Sequence, residues 1–336
     1  MPLTVAILGA GRWGQAHIRT LTSLKIEGLI KQLFVCDIDA DKLTNLPLEI
    51  DATFSSWQEM VEYNSPDLVA IVTPPQTHCQ LSIELMSQGI DVLVEKPLGF
   101  SETEAAAVLA CSRRTGQSLS VGFLLRFHSG IQKAKALVAS GLIGSLHHID
   151  FVRHSTRKPP IGGDVIEALG VHAIDTVCSV QGEVEPHRLH ISHLKTNQQG
   201  SPIQATMWLE FPGAIEANIS VAWDSQIERR ELNLIGEFGT ILIDFNNHET
   251  IKLQNEEGQK IIATDFSTPP LEMEWRQLLS ISHQQNNGKA DLFPTAGATL
   301  RGARWIEQAL SEVSSRIEQK QDNTSTAEGK QSNKVV

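Results

Sequence analysis

Along the first 125 residues, short apolar runs alternate with helix-compatible stretches. The runs are Thr4 to Leu8, Leu33 to Cys36, Leu68 to Val72, Val92 to Val94 and Ser118 to Gly122. Such alternation predicts parallel strands joined by crossover helices. Beyond Arg126 the period becomes two: Ala205, Met207, Leu209 and Phe211 alternate with Gln204, Thr206, Trp208 and Glu210. Ile215, Ala217, Ile219, Val221 and Trp223 continue it, followed by Leu232 and Leu234, and by Ile241, Ile243 and Phe245 beyond the turn at 236–239. This predicts a mainly antiparallel open sheet, one face apolar and the other free to meet solvent or a second subunit. The expected organisation is an α/β domain over 1–125, an α+β domain over 126–318 that ends on a helix near 299–317, and a polar tail, 319–336, without fixed structure.

The length of 336 residues suits two domains. Lysine and arginine number 28 against 39 acidic residues, a net charge of −11 that repels phosphate polymers and argues against a nucleic-acid partner. No apolar run approaches a membrane span, and Val5 to Leu8 is too short for a signal-peptide core, so a cytoplasmic protein without a membrane partner is expected. Cys36, Cys79, Cys111 and Cys178 lie far apart, which fits buried thiols better than a zinc cage or a disulfide framework.

The first run leads directly into Gly9-Ala10-Gly11-Arg12-Trp13-Gly14, and a helical stretch, Gln15 to Leu24, follows. In this strand-turn-helix context the first glycine turns the chain, the second admits a pyrophosphate to the backbone, and the third lets helix pack on strand. The helix N-terminus then faces the anion. The second run ends at Cys36-Asp37, where a carboxylate can hold the adenosine ribose hydroxyls. Asp37 favours NAD over NADP, because a 2′-phosphate would face the carboxylate and the next residues, Ile38 and Asp39, offer no cation. The first domain is therefore read as a Rossmann dinucleotide-binding domain.

Further motifs follow in order: Thr73-Pro74-Pro75-Gln76-Thr77-His78, Val94-Glu95-Lys96-Pro97-Leu98-Gly99, Val121-Gly122-Phe123, Arg126-Phe127 and Gly141-Leu142-Ile143-Gly144. With the dinucleotide turn they make the chain, from Thr4 to Ile317, resemble the glucose-fructose oxidoreductase, inositol dehydrogenase and rhizopine-catabolism (Gfo/Idh/MocA) family. The resemblance implies a two-domain NAD(P)-dependent oxidoreductase acting on a secondary hydroxyl of a sugar, cyclitol or nucleotide sugar. It also implies a homodimer or homotetramer built on the open sheet face. It places Lys96 beside nicotinamide and substrate hydroxyl, with Glu95 and Pro97 in the flanking positions and a cis peptide before Pro97. Thr73, Pro74 and His78 fall on positions lining the cofactor cleft, Arg12 and Trp13 on the turn, and Arg126 on the substrate side.

The family's other catalytic group comes from a glycine-led helix with aspartate and histidine spaced i, i+4. On Gly162-Gly163-Asp164-Val165-Ile166-Glu167-Ala168-Leu169-Gly170-Val171-His172-Ala173-Ile174-Asp175 the histidine is His172, but the aspartate position holds Ala168. In an α-helix Glu167 would stand well round the axis from His172, and Asp164-x-x-Glu167 has the spacing of a capping box. Asp175 could orient the imidazole or serve the helix structurally. A basic loop with Arg153, His154, Arg157 and Lys158 would suit an anionic substrate group, or be no more than a solvated loop. His187, His190 and His193 do not make a metal site on a strand, since His190 points to the other face.

The expected function is hydride transfer between NAD and a secondary hydroxyl, with Lys96 as electrophilic and positioning group and His172 as general acid/base. Arg126 and Arg157 are expected to meet the substrate, and no metal is required. Two alternatives stand beside this: a redox-assisted glycosidase that retains its NAD, and a non-catalytic cofactor-sensing regulator, which the alanine at 168 motivates.

Overall fold

The computed structural model describes residues 2–160, 162–284 and 292–332, and the chain folds as two compact units. The first contains the chain up to Gln132 together with Asp265–Ala303, and the second contains Lys133–Thr264 and the chain from Arg304 onward. This differs from the expected boundary at 125/126. A 39-residue segment returns to the first unit because its helix carries Trp275, Leu278 and Leu279, which are buried in that unit's core.

In the first unit, β1 (Leu3–Leu8) runs into α1 (Arg12–Ile26), followed by β2 (Ile30–Cys36), β3 (Ala52–Phe54), α2 (Trp57–Tyr63), β4 (Leu68–Ile71), α3 (His78–Ser87), β5 (Asp91–Glu95), α4 (Glu102–Thr115) and β6 (Leu119–Gly122). The first six strands are parallel in the order β6-β5-β4-β1-β2-β3, the doubly wound arrangement with β1 beside β4 where the strand order reverses. Every residue of β4 and β5 is buried, as strands covered on both faces require. Ser56 and Ser101 cap α2 and α4, and Gly116 in the left-handed conformation ends α4.

The chain crosses between the units within α5 (Ser129–Ala139). The second unit contains β7 (Leu146–His154), α6 (Val171–Ser179), β8 (Arg188–Thr196), β9 (Pro202–Phe211), β10 (Ile215–Ala222), β11 (Arg229–Gly236), β12 (Thr240–Asp244), β13 (Thr250–Asn255) and β14 (Gly258–Ala263). Its eight strands lie in the order β14-β13-β12-β11-β7-β10-β9-β8, all antiparallel except the parallel pair β7 and β10. Register pairs Ala217 with Leu209 and Ile219 with Met207, so the expected apolar positions fall on one buried face, which packs α6. All nine residues of α6 are buried.

The chain returns to the first unit as α7 (Pro270–Gln284) and β15 (Leu292–Phe293), a seventh parallel strand beside β6. It ends on α8 (Ala296–Ser332). Residues 319–332, expected to lack fixed structure, continue this helix. Seven of these fourteen residues are Asp, Asn, Ser, Thr or Gly, which favour helix poorly, so the winding continues from the preceding turns rather than from local propensity. The last four residues of the expected tail lie outside the described residues.

Candidate active site

The glycine turn is built by close backbone approach. Gly9 has φ of 101°, and a Cβ there would stand 2.5 Å from the Val72 carbonyl oxygen. A Cβ on Gly14 would stand 2.0 Å from the Gly9 carbonyl oxygen, so α1 can leave the turn at this angle only with glycine at both positions. Around Gly11, by contrast, nothing lies within 4 Å of a built Cβ. Gly11 is also the N-cap of α1 and lends it no side-chain hydrogen bond, so the first amides of the helix are offered to a ligand. This open, positive cradle fits a pyrophosphate, and Arg12 and Trp13 are exposed beside it.

Asp37 lies at the end of β2, buried, with Oδ2 accepting from the Ala10 amide at 2.7 Å and Oδ1 from the Asp39 amide at 2.9 Å. Its carboxylate is thereby fixed against the glycine turn and keeps acceptor capacity for ribose hydroxyls. Asp39 caps the short turn that follows, accepting from the Asp41 amide. The same turn brings Lys42 Nζ to 3.5 Å from Asp37 Oδ1, a cation beside this carboxylate that Ile38 and Asp39 did not suggest.

At the ends of β4 and β5 the motifs at 73–78 and 94–99 meet. The Lys96-Pro97 peptide is cis, as expected. Thr73 and Thr77 hydroxyls lie 2.6 Å apart, and Pro74 is exposed at the start of the next turn. His78 is buried, with Nδ1 2.8 Å from the Pro97 carbonyl oxygen and Nε2 2.9 Å from that of Thr73. Both ring nitrogens are thus engaged with backbone, and His78 clamps the Thr73 turn to the Lys96-Pro97 turn. Burial holds its pKa below the ordinary imidazole value, against the raising effect of the two carbonyls.

Glu95 is buried, and burial alone would push its carboxyl up. Hydrogen bonds from His17 and Trp13 outweigh that and hold it below the usual glutamate range, helped by the charge of Lys96. Trp13 Nε1 donates to Oε1 at 2.5 Å, His17 Nε2 lies 3.1 Å from the same oxygen, and the Lys96 amide donates to Oε2 at 3.2 Å. On the far side of the imidazole, Trp275 Nε1 donates to His17 Nδ1 at 3.1 Å. An indole N–H can only donate, so Nδ1 accepts and the ring proton sits on Nε2, directed at Glu95. The glycine-turn tryptophan, α1, α7 and the Glu95-Lys96 turn are thereby tied by one chain of hydrogen bonds. Sequence reasoning missed His17 and Trp275. His17 reads as one more residue on the inward face of α1, and its partner lies 258 positions away.

In the second unit, His172 and Asp175 are both buried on α6. Asp164 accepts from the amides of Ile166 at 2.7 Å and Glu167 at 3.4 Å, the first half of the expected capping box. The residues that follow, Ile166–Gly170, are wound as a π-helix, with the Val171 amide bonded to the Ile166 carbonyl. This corrects the expected geometry: a π turn closes i to i+5, so Glu167 stands one turn before His172 rather than well round the axis.

The basic loop does not converge. Arg153 and His154 lie on opposite faces of β7. Arg153 is held down to about 10 by burial first and by the Arg230 charge second, while His154 Nε2 bonds Ser220 Oγ at 2.8 Å. Glu228 accepts from the Thr156 amide and pairs with Arg230, so acid offsets the loop's charge. Arg157 and Lys158 are exposed. Arg126, in the first unit, lies over the Phe123 ring at 5.9 Å. His187 approaches Glu210 at 3.6 Å, and among the described residues no three His, Cys, Asp or Glu side chains gather as a metal site. No helix among them is long and apolar enough to cross a membrane.

A nucleotide cradle on a doubly wound sheet, followed by a second unit with an open eight-stranded sheet, defines the class: an oxidoreductase with an NAD-binding Rossmann domain. Residues 3–123 match the model of the oxidoreductase family with NAD-binding Rossmann fold, and residues 131–242 match the GFO/IDH/MocA C-terminal domain. The chain belongs to the Gfo/Idh/MocA family. It is 27% identical over 314 residues to scyllo-inositol 2-dehydrogenase (NAD(+)) of Bacillus subtilis, covering 88% of this chain and 90% of that protein. With the rhizopine catabolism protein MocA of Rhizobium meliloti it shares 27% identity over 202 residues, 59% of this chain and 62% of that protein. Among solved structures, UDP-N-acetylglucosamine 3-dehydrogenase of Acidithiobacillus ferrooxidans superposes with a TM-score of 0.78 at 20% identity, over 93% of this chain and 99% of that one.

Proposed function

We propose that the protein is an NAD-dependent dehydrogenase of a secondary hydroxyl on a cyclitol, sugar or nucleotide sugar. The observation that carries the reading is the set of groups at the carboxyl ends of β1, β2, β4 and β5: the open Gly11 cradle, the fixed Asp37 carboxylate and Lys96 after a network-held Glu95. Ligands of doubly wound sheets sit at that edge. The pyrophosphate would meet the first amides of α1, and the ribose would meet Asp37. Bound NAD supplies the hydride acceptor. Lys96 would stabilise charge on the substrate oxygen, and His172 would take the hydroxyl proton, both parts of an alcohol oxidation that need a protein group. The polar face of the eight-stranded sheet, with Thr206, Trp208 and Ser220, is the proposed surface for a homodimer or homotetramer.

The test is NADH absorbance with inositols, free sugars, sugar acids and nucleotide sugars. Turnover is expected with at least one class, and His172→Ala should lower kcat by about 10² to 10⁴ while NAD affinity stays unchanged. Normal turnover after loss of His172 would refute its role. One observation favours a second reading, the cofactor-sensing regulator: Ala168 stands where the family resemblance puts an aspartate. NAD binding without hydride transfer to any class, and with no activity gained by Ala168→Asp, would establish that reading. No observation favours the glycosidase.

A further inference from the structure

Arg153 and Arg230 face one another across the second unit's sheet. The antiparallel register of β7 and β11 sets them directly opposite, two residues along from the pair Phe151 and Leu232, so both side chains leave from the buried face that packs α6. The other neighbour of Arg153 in the ladder is Val221 of β10, and the Phe245 ring lies against that of Phe151, 5.3 Å between centroids. Like charges set opposite in a ladder repel, and apolar neighbours do not screen them. The repulsion is answered on one side only. Glu228 Oε1 accepts from Arg230 Nε at 2.9 Å and from Nη2 at 2.7 Å, and the Thr156 amide, then Arg230, hold that carboxyl below the usual glutamate range. No hydrogen bond or ion pair among the described residues holds the guanidinium of Arg153. Burial, and then the charge of Arg230, bring its pKa down to about 10, which leaves it a cation at neutral pH.

Two guanidiniums against one carboxylate leave a single positive charge, on the residue that no acid holds. A planar fork of N–H donors in that state matches a carboxylate, which it can bind bidentately and which carries one negative charge. A phosphate monoester carries close to two, and the excess would face Glu228. The pair also stands on the proposed side for a substrate. From Arg153 the chain passes through residues 155–165 into the π turn and α6, the helix of His172, which packs on this same face. We propose that Arg153, with Arg230 opposite it, receives a carboxylate of the substrate, so that the preferred substrate is an acidic polyol, a sugar acid in place of a neutral sugar. Arg153 is then a specificity residue. It meets a part of the substrate that does not react, and its contribution falls on binding more than on the chemical step.

The substrate class rests on the dehydrogenase reading, but the carboxylate site does not, and the experiment separates them. The full-length protein with NAD is titrated calorimetrically with a panel of aldonates and uronates, each beside its neutral sugar and its sugar phosphate, and NADH absorbance is followed with the same panel. At least one acid should bind tenfold or more tighter than its neutral counterpart. Arg153→Gln should weaken that acid by roughly tenfold to a hundredfold, the worth of hydrogen bonds to a charged group, and should not weaken the neutral sugar. Where the acid is turned over, KM should rise more than kcat falls. Arg153→Lys, a cation without the fork, should recover part of the loss. Glu228→Gln leaves a second positive charge and should shift preference toward the phosphate. Because Arg153 repels Arg230, Arg153→Gln should melt no lower than the parent. A panel in which no acid outbinds its neutral counterpart, an acid that binds Arg153→Gln as well as the parent, a parent that prefers the phosphate, or a lowered melting temperature in Arg153→Gln overturns the proposal. Carboxylate binding that depends on Arg153 without any hydride transfer would remove the dehydrogenase reading and keep the site. Turnover of neutral sugars that Arg153→Gln leaves unchanged would do the reverse.

Discussion

At the scale of the residue, the carboxylate of Asp37 serves the protein and, in the proposed reading, the ligand too. It fixes the Ala10 amide of the glycine turn, and it is the group proposed to meet the ribose. Lys42 Nζ lies 3.5 Å from Asp37, and its ammonium is partly spent on Asp37 and Asp39. Removing the carboxylate therefore does more than relieve repulsion; it releases Lys42 toward a 2′-phosphate. Asp37→Ser should weaken NAD and strengthen NADP in calorimetric titration, and Lys42→Ala in that background should cancel the NADP gain. Tighter NADP binding by the unmodified protein would contradict the role given to Asp37. Asp37 was legible in the sequence because its distance from the glycine turn is fixed by one strand-helix-strand unit. Lys42 was not, because a short capped turn, rather than any spacing rule, folds it back.

Elements depend on residues whose partners are backbone. His78 opens α3 and bridges two carbonyls, one on each of the turns that carry Thr73 and Lys96. A neutral imidazole has one N–H for those two acceptors, and burial keeps the ring neutral. Its folded pKa lies below the unfolded value of about 6.5, so as pH falls the unfolded chain takes the proton first and stability is lost from about pH 6.5 downward. The urea midpoint of the protein should fall on going from pH 7 toward pH 5, and His78→Gln, which cannot titrate, should show a shallower fall. Identical pH slopes would deny His78 this part.

The π turn at Ile166–Gly170 belongs to the same scale. The capping aspartate could be read from local pattern, since a cap spans a few residues, whereas the helix and His172 came from the family resemblance. The extra residue per turn could be read from neither, because π winding has no compositional signature of its own. The angle assigned to Glu167 was therefore that of an α-helix. The basic loop shows the same boundary from the other side: the four cations are visible in sequence, but strand alternation and the acid from Glu228 separate them.

For the molecule as a whole, the parallel and antiparallel sheets followed from the periods of their apolar residues, whereas the membership of 265–303 did not. An amphipathic helix shows that it has a face to bury, but not which of two sheets receives it. Trp275 is 0% exposed in the first unit's core and also completes the hydrogen bonding of His17. Trp275→Ala should cost about 3–5 kcal/mol in chemical denaturation, the range for deleting a buried aromatic. Trp275→Phe should recover most of that packing while leaving Nδ1 of His17 without its donor. A loss in Trp275→Ala no larger than that of an exposed substitution would mean that the returning helix contributes little to the core.

The same return has a consequence for how the chain is made. Residues 1–132 leave the ribosome without the helix that fills their core and without the strand that borders β6, both of which lie beyond the entire eight-stranded sheet. At about 5–20 residues per second, translation reaches residue 303 on the order of 10 to 30 s after residue 132 has been joined. During that interval the nucleotide-binding half exposes the apolar ground that Trp275, Leu278 and Leu279 later cover. The late segment 265–303 therefore sets when the core of residues 1–132 is complete, and a nascent chain stalled before α7 is the form most exposed to chaperones and to aggregation.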